Sequence, residues 1–328
     1  MADLDVVGVG NALVDVLSQA ADAFLVAQGL SKGAMQLVDE ARARELYAAM
    51  GPAVEMSGGS AANTIVGVAS FGGRAHYVGK VRDDQLGEVF RHDLRAVGVG
   101  YGTPPATSGP ATGRCLIVVT PDAQRTLTTY LGASSQLGPA DIDRDLIERA
   151  GILYLEGYLF DPPAAQQAFH VAAGIAHGAG RKVALTLSDP FCVGRHRDAF
   201  RELVERHVDI LFANEAEIRA LYEASDFDAA LQQVRRRCAV AALTRSEHGS
   251  VIVAGDEVHV VAAHPVKAVV DTTGAGDLYA AGFLIGLSRG VDLGTCGRLG
   301  SLAAAEVISH VGARPQTPLA GLAGRLLA

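Results

Sequence analysis

Two carboxylates bracket a run of small and hydroxylated residues in Asp271-Thr272-Thr273-Gly274-Ala275-Gly276-Asp277, and an apolar, helix-compatible run from Leu278 to Leu287 follows. If a helix begins near Gly274, its free N–H groups and positive dipole end face outward, and the absence of large side chains lets a phosphate approach the backbone. Asp277 then stands beside the bound anion. From there it can take a hydroxyl proton while the amides of Gly274, Ala275 and Gly276 stabilise charge on the transferring group. Phosphoryl transfer to an alcohol needs that combination. A glycine-rich turn capped by an aspartate is the plainer reading of a bare GxGD.

Three further polar groups follow strand-like runs or open helix-like ones. Asn11 and Asp15 lie just beyond the apolar run Leu4–Val9, where open α/β sheets place ligands, and an amide with a carboxylate can grip a vicinal diol. Asp15 is expected to act purely as an acceptor at neutral pH. Gly8-Val9-Gly10 resembles the start of a dinucleotide-binding turn, but position 13 is Leu and no helical pattern opens there, which argues against hydride transfer. Gly58-Gly59-Ser60 precedes a small, apolar helical run from Ala61 to Ser70, with Ser60 as the expected cap and Asn63 on the first turn. Asn214 and Glu217 follow the apolar run Ile210–Ala213 at a spacing that suits either a shared helix face or a capping box.

Taken together, these segments resemble the ribokinase/PfkB superfamily of sugar and nucleoside kinases. The heptapeptide is similar to its C-terminal signature, Gly58 to Asn63 to its N-terminal one, and Asn214-Glu215-Ala216-Glu217 to its NxxE element, in the expected order. Gly8 to Asp15, Thr112-Gly113-Arg114-Cys115, Leu187 to Phe191 and Val208 to Glu215 are most similar to the adenosine kinase branch. The resemblance implies ATP-dependent phosphorylation of a nucleoside 5′-hydroxyl, with Asp277 as base. It implies sugar contacts from Asp15, Gly59 and Asn63, and Mg²⁺ organised through water by Asn214 and Glu217. Nucleotide contacts are expected from Asn214, Thr244, Thr273, Gly274 and Gly276. Ser246 stands where the family commonly has glycine, which leaves Arg245 without an assigned role. Many relatives use potassium, which would lie near Asp271. Arg125 matches a lid arginine able to approach the phosphates, with simple solvation as its alternative. Met35, Leu37, Cys115, Leu131, Tyr158 and Phe191 are the expected base pocket, Tyr158 being the preferred stacking platform and Phe160 its rival. A kinase for a free pentose or hexose and a catalytically silent ligand sensor remain alternatives.

Positioning these groups requires a large frame. Apolar runs at Leu4–Val9, His76–Val78, Ile152–Leu155, Val183–Leu187, Ile210–Ala213 and Ala239–Leu243 alternate with helical patterns at Asp84–Val97, Pro163–His177 and His196–Arg206. Strands buried on both faces and separated by helices imply an α/β, doubly wound parallel sheet. The rhythm breaks at residues 12–38 and 101–130, which read as antiparallel strands without helices, around a Thr120-Pro121-Asp122-Ala123 turn. The resemblance makes these a small inserted β lid within one domain spanning 1–328, and Gly98–Pro110 is the candidate hinge.

Composition sets the outer limits. With 328 residues and 49% hydrophobic content the chain can bury a large core. Its net charge of −8 argues against a nucleic-acid partner, and Arg235-Arg236-Arg237 is the only basic cluster. Four dispersed cysteines without a CxxC suit reduced thiols. Met1 leads directly into an apolar strand, with no basic leader and no membrane-length span, so a cytoplasmic monomer or homodimer is expected.

Overall fold

The computed structural model describes residues 2–122 and 124–326. In chain order its strands are β1 (Leu4–Val9), β2 (Leu13–Gln19), β3 (Met35–Leu37), β4 (Ala53–Gly58), β5 (Ala75–Val78), β6 (Gly100–Tyr101), β7 (Gly113–Val119), β8 (Arg125–Tyr130), β9 (Ala150–Glu156), β10 (Lys182–Thr186), β11 (Ile210–Asn214), β12 (Val240–Thr244), β13 (Ser250–Ala254) and β14 (Glu257–Val261). Nine of them form one sheet in the order β14-β13-β12-β11-β10-β9-β1-β5-β6. Its pairings are parallel from β6 through to β12, and an antiparallel hairpin, β13 and β14, closes the edge. The expected doubly wound α/β architecture is therefore present. Strand order runs outward in both directions from β1, so the C-terminal ends of β1 and β9 border a topological switch point, where such sheets bind ligands.

Helices cover both faces, and each face has its own apolar core. One core gathers Phe160, Phe169, Phe200 and Leu211 beneath the Pro163–Gly178 and Arg197–His207 helices. The other gathers Ile65, Leu278, Phe283 and Leu299 from the Ser60–Ser70, Ala275–Ser288 and Leu293–Val307 helices. The Ala275–Ser288 helix is buried along nearly its whole length from Leu278 to Gly286, so it carries no polar face. Small residues set its spacing. A Cβ on Gly67 would lie 2.6 Å from the Ala281 Cβ, and one on Gly282 would lie 2.4 Å from the Leu299 carbonyl oxygen.

The second sheet, β3-β8-β7-β2-β4, departs from the sequence expectation. It is mixed, not purely antiparallel: β2 pairs parallel with β7 and β3 parallel with β8, while β2–β4 and β7–β8 are antiparallel. Helix Asp22–Ala27 connects β2 to β3, inside a segment expected to hold strands alone, and Glu40–Ala49 connects β3 to β4. β4 joins from outside the expected segments, and Tyr101 belongs to β6 of the large sheet, not to the second sheet. Ala123 of the expected turn lies outside the described residues. Cys115, Cys192, Cys238 and Cys296 are all free, and among the described residues no helix is long and apolar enough to cross a membrane.

Gly282→Val places a branched side chain against the backbone of the Leu293–Val307 helix. A loss of about 1–3 kcal/mol is expected from overpacking, read from urea denaturation midpoints. Parent-like stability would show that this contact does not set the helix spacing.

Candidate active site

A cleft of about 1490 Å³ opens at the C-terminal ends of β1, β9, β10, β11 and β12, beneath the second sheet. That exceeds the roughly 300–1,000 Å³ typical of a single small-ligand site. Its walls bring together most of the residues singled out in the sequence: Asn11, Asp15, Met35, Leu37, Gly59, Asn63, Cys115, Leu131, Tyr158, Phe191, Asn214, Glu217, Thr244 and Thr273 to Asp277.

Asp277 stands on the first turn of the Ala275–Ser288 helix, whose N-cap is Gly274 at φ +79°. That left-handed backbone suits glycine, and a Cβ there would also meet Ala313 at 2.9 Å. The Ala275 N–H donates to the Thr272 carbonyl at 3.2 Å, so this amide is not free as expected. Gly276 and Asp277 have no backbone acceptor among the described residues, and their amides form the open N-terminus. The Asp277 carboxylate accepts from the Ser60 hydroxyl at 2.6 Å and from the Asn63 amide at 2.9 Å. Burial pushes its carboxyl above the usual carboxylate range, opposed by those two hydrogen bonds and by the charge of Arg314.

Ser60 is not the helix cap. Gly59 holds that position at φ +96°, where a Cβ would lie 2.3 Å from the Asn11 carbonyl, and Ser60 as the first helical residue turns its hydroxyl to Asp277. With its amide nitrogen donating to Asp277, Asn63 keeps a buried Oδ1 with no partner. Such an atom is costly unless a ligand donor meets it. Asp15, on β2, has no hydrogen-bond donor among the described residues, and its carboxylate lies against Gly58, where a Cβ would clash at 2.3 Å. Burial pushes it up to about 6, against the attraction of Arg314 and Arg125. Asn11 differs from expectation. Its Nδ2 donates to Glu156 at 2.9 Å and its Oδ1 accepts from Ser134 at 2.9 Å, so its amide is engaged by the protein itself.

Glu156 was not singled out from the sequence. Ending β9, it accepts from the Asn11 N–H at 3.1 Å and the Ala61 N–H at 2.7 Å, tying the end of β1 to the Ser60–Ser70 helix. Burial pushes it up to about 7 despite these donors. A carboxylate directly after the apolar run Ile152–Leu155 was the available signal.

Asn214 and Glu217 form a reciprocal capping box: Glu217 N–H to Asn214 Oδ1 at 2.9 Å, and Asn214 N–H to Glu217 Oε2 at 3.0 Å. Both still face the cleft, and burial pushes Glu217 up to about 7. Among the described residues no cluster of three or more His, Cys, Asp or Glu could hold a metal. This donor set suits an ion that keeps its waters and touches protein indirectly. Thr244 lines the cleft, whereas Arg245 turns away onto Glu215 at 3.1 Å and over the Phe227 ring at 4.3 Å. Phe160 is core, packed on Phe200 at 4.4 Å, while Tyr158 faces the cleft.

Neither Arg125 nor Asp271 lines the cleft. Arg125 forms a buried ion pair with Asp271 Oδ2 at 3.0 Å and donates to Thr273 Oγ1 at 3.2 Å, so it is not a solvated arginine. Asp271 also accepts from the Thr273 N–H at 3.0 Å, its hydroxyl at 2.7 Å and the Gly312 N–H at 2.8 Å. A guanidinium and backbone or hydroxyl donors thus engage both of its oxygens in this structure.

A model of the pfkB family of carbohydrate kinases matches residues 31–320. The chain belongs to that family. It is 53% identical to the adenosine kinase of Sinorhizobium meliloti, over 99% of each chain at a TM-score of 0.92. It is 49% identical to a probable sugar kinase of Rhizobium etli CFN 42, over 100% of each at 0.94. Adenosine kinase of Saccharomyces cerevisiae is 28% identical over 92% of this chain and 94% of the yeast enzyme.

Exchanging potassium for tetramethylammonium at constant ionic strength is expected to leave the thermal midpoint and the Kd for a non-hydrolysable ATP analogue unchanged. Several-fold tighter binding in potassium would show that a monovalent cation takes part in nucleotide binding.

Proposed function

We propose that this pfkB kinase transfers the γ-phosphoryl group of ATP to the 5′-hydroxyl of a nucleoside, adenosine giving AMP. The observation that carries the proposal is that one cleft is lined both by open polar groups and by apolar wall. The polar groups are Asp277, the unpartnered Asn63 Oδ1 and the donor-free Asp15. Met35, Leu37, Ile117, Leu127, Leu131 and Phe191 supply the apolar wall. Met35, Leu37 and Phe191 are 46%, 52% and 76% exposed, surface that a flat base would cover. A free pentose has nothing to place there.

In this reading Asp15 accepts hydrogen bonds from the ribose diol, and Asn63 Oδ1 accepts one more from a hydroxyl. That grip sets the 5′-oxygen beside Asp277, which removes its proton as the bond to the γ-phosphorus forms and the bond from that phosphorus to the leaving ADP oxygen breaks. The Gly276 and Asp277 amides, with the helix dipole behind them, stabilise charge on the transferred phosphoryl. ATP would extend past Thr244 and Asn214, and Mg²⁺ arriving with it would neutralise phosphate charge, its waters meeting Asn214 and Glu217. The second sheet covers the sugar as a lid, with Gly98–Pro110 as the proposed hinge, and Arg125 would exchange Asp271 for phosphate on closure. The Sinorhizobium meliloti similarity supports the nucleoside, while the Rhizobium etli relative keeps a free-sugar kinase as the second reading.

Asp277→Asn retains size and hydrogen bonding but cannot accept the proton. Turnover should fall by roughly 10²–10⁴-fold while nucleoside affinity is largely kept. Near-parental kcat would remove Asp277 from the mechanism.

Remote binding energy from the base should also appear in the transition state. Adenosine is accordingly expected to show a far higher kcat/KM than ribose or fructose, measured by coupled ADP release. Equal rates on the free sugars would favour the second reading.

A further inference from the structure

Past the Leu293–Val307 helix the chain returns to the cleft, and three consecutive residues each meet a different part of the site. The Gly312 N–H holds Asp271 at 2.8 Å, and Ala313 lies against Gly274. Arg314 donates from one guanidinium nitrogen to the Ala62 carbonyl at 2.8 Å. From the other it donates to the Ser57 carbonyl at 2.8 Å and the Ser57 hydroxyl at 3.3 Å. Ser57 is the penultimate residue of β4 in the second sheet, and Ala62 precedes Asn63 on the first turn of the Ser60–Ser70 helix. The two acceptors therefore flank the Gly58-Gly59 turn that joins the sheet to the kinase body.

All three hydrogen bonds end on carbonyls and a hydroxyl, so none cancels the arginine's charge. Asp15 and Asp277 are the two carboxylates whose fields act most strongly on it, ahead of Tyr77 and Asp93. Arg125, the other cation felt by Asp15, is already ion-paired with Asp271 at 3.0 Å.

We propose that Arg314 is a positioning residue for the kinase reaction, clamping the second sheet to the Ser60–Ser70 helix and serving Asp15 and Asp277 as their shared counter-cation. The inference rests on the kinase reading for its catalytic meaning. Burial pulls the guanidinium down to about 10, which leaves it charged at neutral pH, and its charge lowers both aspartates against their burial. The other groups facing Asp277 are Ser60 and Asn63 from the Ser60–Ser70 helix, Tyr154 and Glu156 from β9, Tyr158, Glu217 from its helix, and Asp15. Facing Asp15 are Cys115 from β7, Arg125 from β8 and Asp277. Apart from Arg125, each is neutral or acidic, so none replaces Arg314.

The test is a carbon-13 titration of aspartate carboxyls, assigned with Asp15→Asn and Asp277→Asn, in the parent, Arg314→Gln and Arg314→Lys. Loss of an opposite charge should raise the Asp15 and Asp277 midpoints by about 1 pH unit or more in the Gln variant, while Lys stays near the parent. The acid limb of adenosine kcat/KM should move by the same amount, roughly a tenfold loss at a pH on that limb. Arg314→Met serves if the Gln variant does not fold. Midpoints unchanged in the charge-free variant overturn the proposal, even if activity drops evenly at all pH values. The titration needs no substrate: a parent inactive on adenosine would defeat the nucleoside reading and still leave the role of Arg314 decided.

Discussion

The carboxylate of Asp277 is held between a hydroxyl and an amide from the first turn of another helix, Ser60 at 2.6 Å and Asn63 at 2.9 Å. Two helix N-termini thus meet at one acidic group, and the remaining architecture keeps them there. Gly67 lets the helices touch near Ala281, and Gly282 brings the Leu293–Val307 helix against the other side. Glu156 ties the same first turn to the end of β1, where Asn11 stands. A carboxylate loses much hydration on burial, and its shift upward shows that the hydrogen bonds only partly offset this. In the proposed reading Asp277 is the general base, for which that residual basicity is useful.

Electrostatics in the cleft follow from crowding. Asp15, Glu156, Glu217 and Asp277 face one space, and burial raises all four. An anionic ligand would find this hostile without the exposed amides at Gly276 and Asp277 and the guanidinium groups nearby. One of these, Arg125, is neutralised by its ion pair with Asp271. The other, Arg314, is fixed by uncharged acceptors and keeps its field directed at the two aspartates.

Much of the frame was legible in the sequence because its signals are local. Strand-length apolar runs such as Leu4–Val9 and Ile210–Ala213 can be buried on both faces only in a helix-covered sheet, and the structure places strands at those positions. The small residues before Asp277 announced a helix N-terminus for the same reason: Gly274 alone among its neighbours is required to adopt φ +79°. The Asn214–Glu217 spacing offered a capping box as one of two readings, and the structure forms it through hydrogen bonds that span only one turn.

Tertiary structure decided the contacts whose partners lie far apart in the chain. Nothing near Ser60 in sequence shows that its hydroxyl serves Asp277 and not its own helix, and nothing near residue 314 shows that an arginine there returns to Ser57 and Ala62. Pairing in the second sheet was likewise hidden, since alternation along a strand fixes which side chains share a face but not which neighbour it joins or in which direction. Periodicity and turn chemistry act over a few residues, so the sequence by itself determined the elements and the candidate reactive groups. Long-range packing selected among the possible partners of each polar atom, so only the folded chain decided that Asn11 would be engaged by Glu156 and Ser134 while Asp15 and Asn63 Oδ1 stayed open to a ligand.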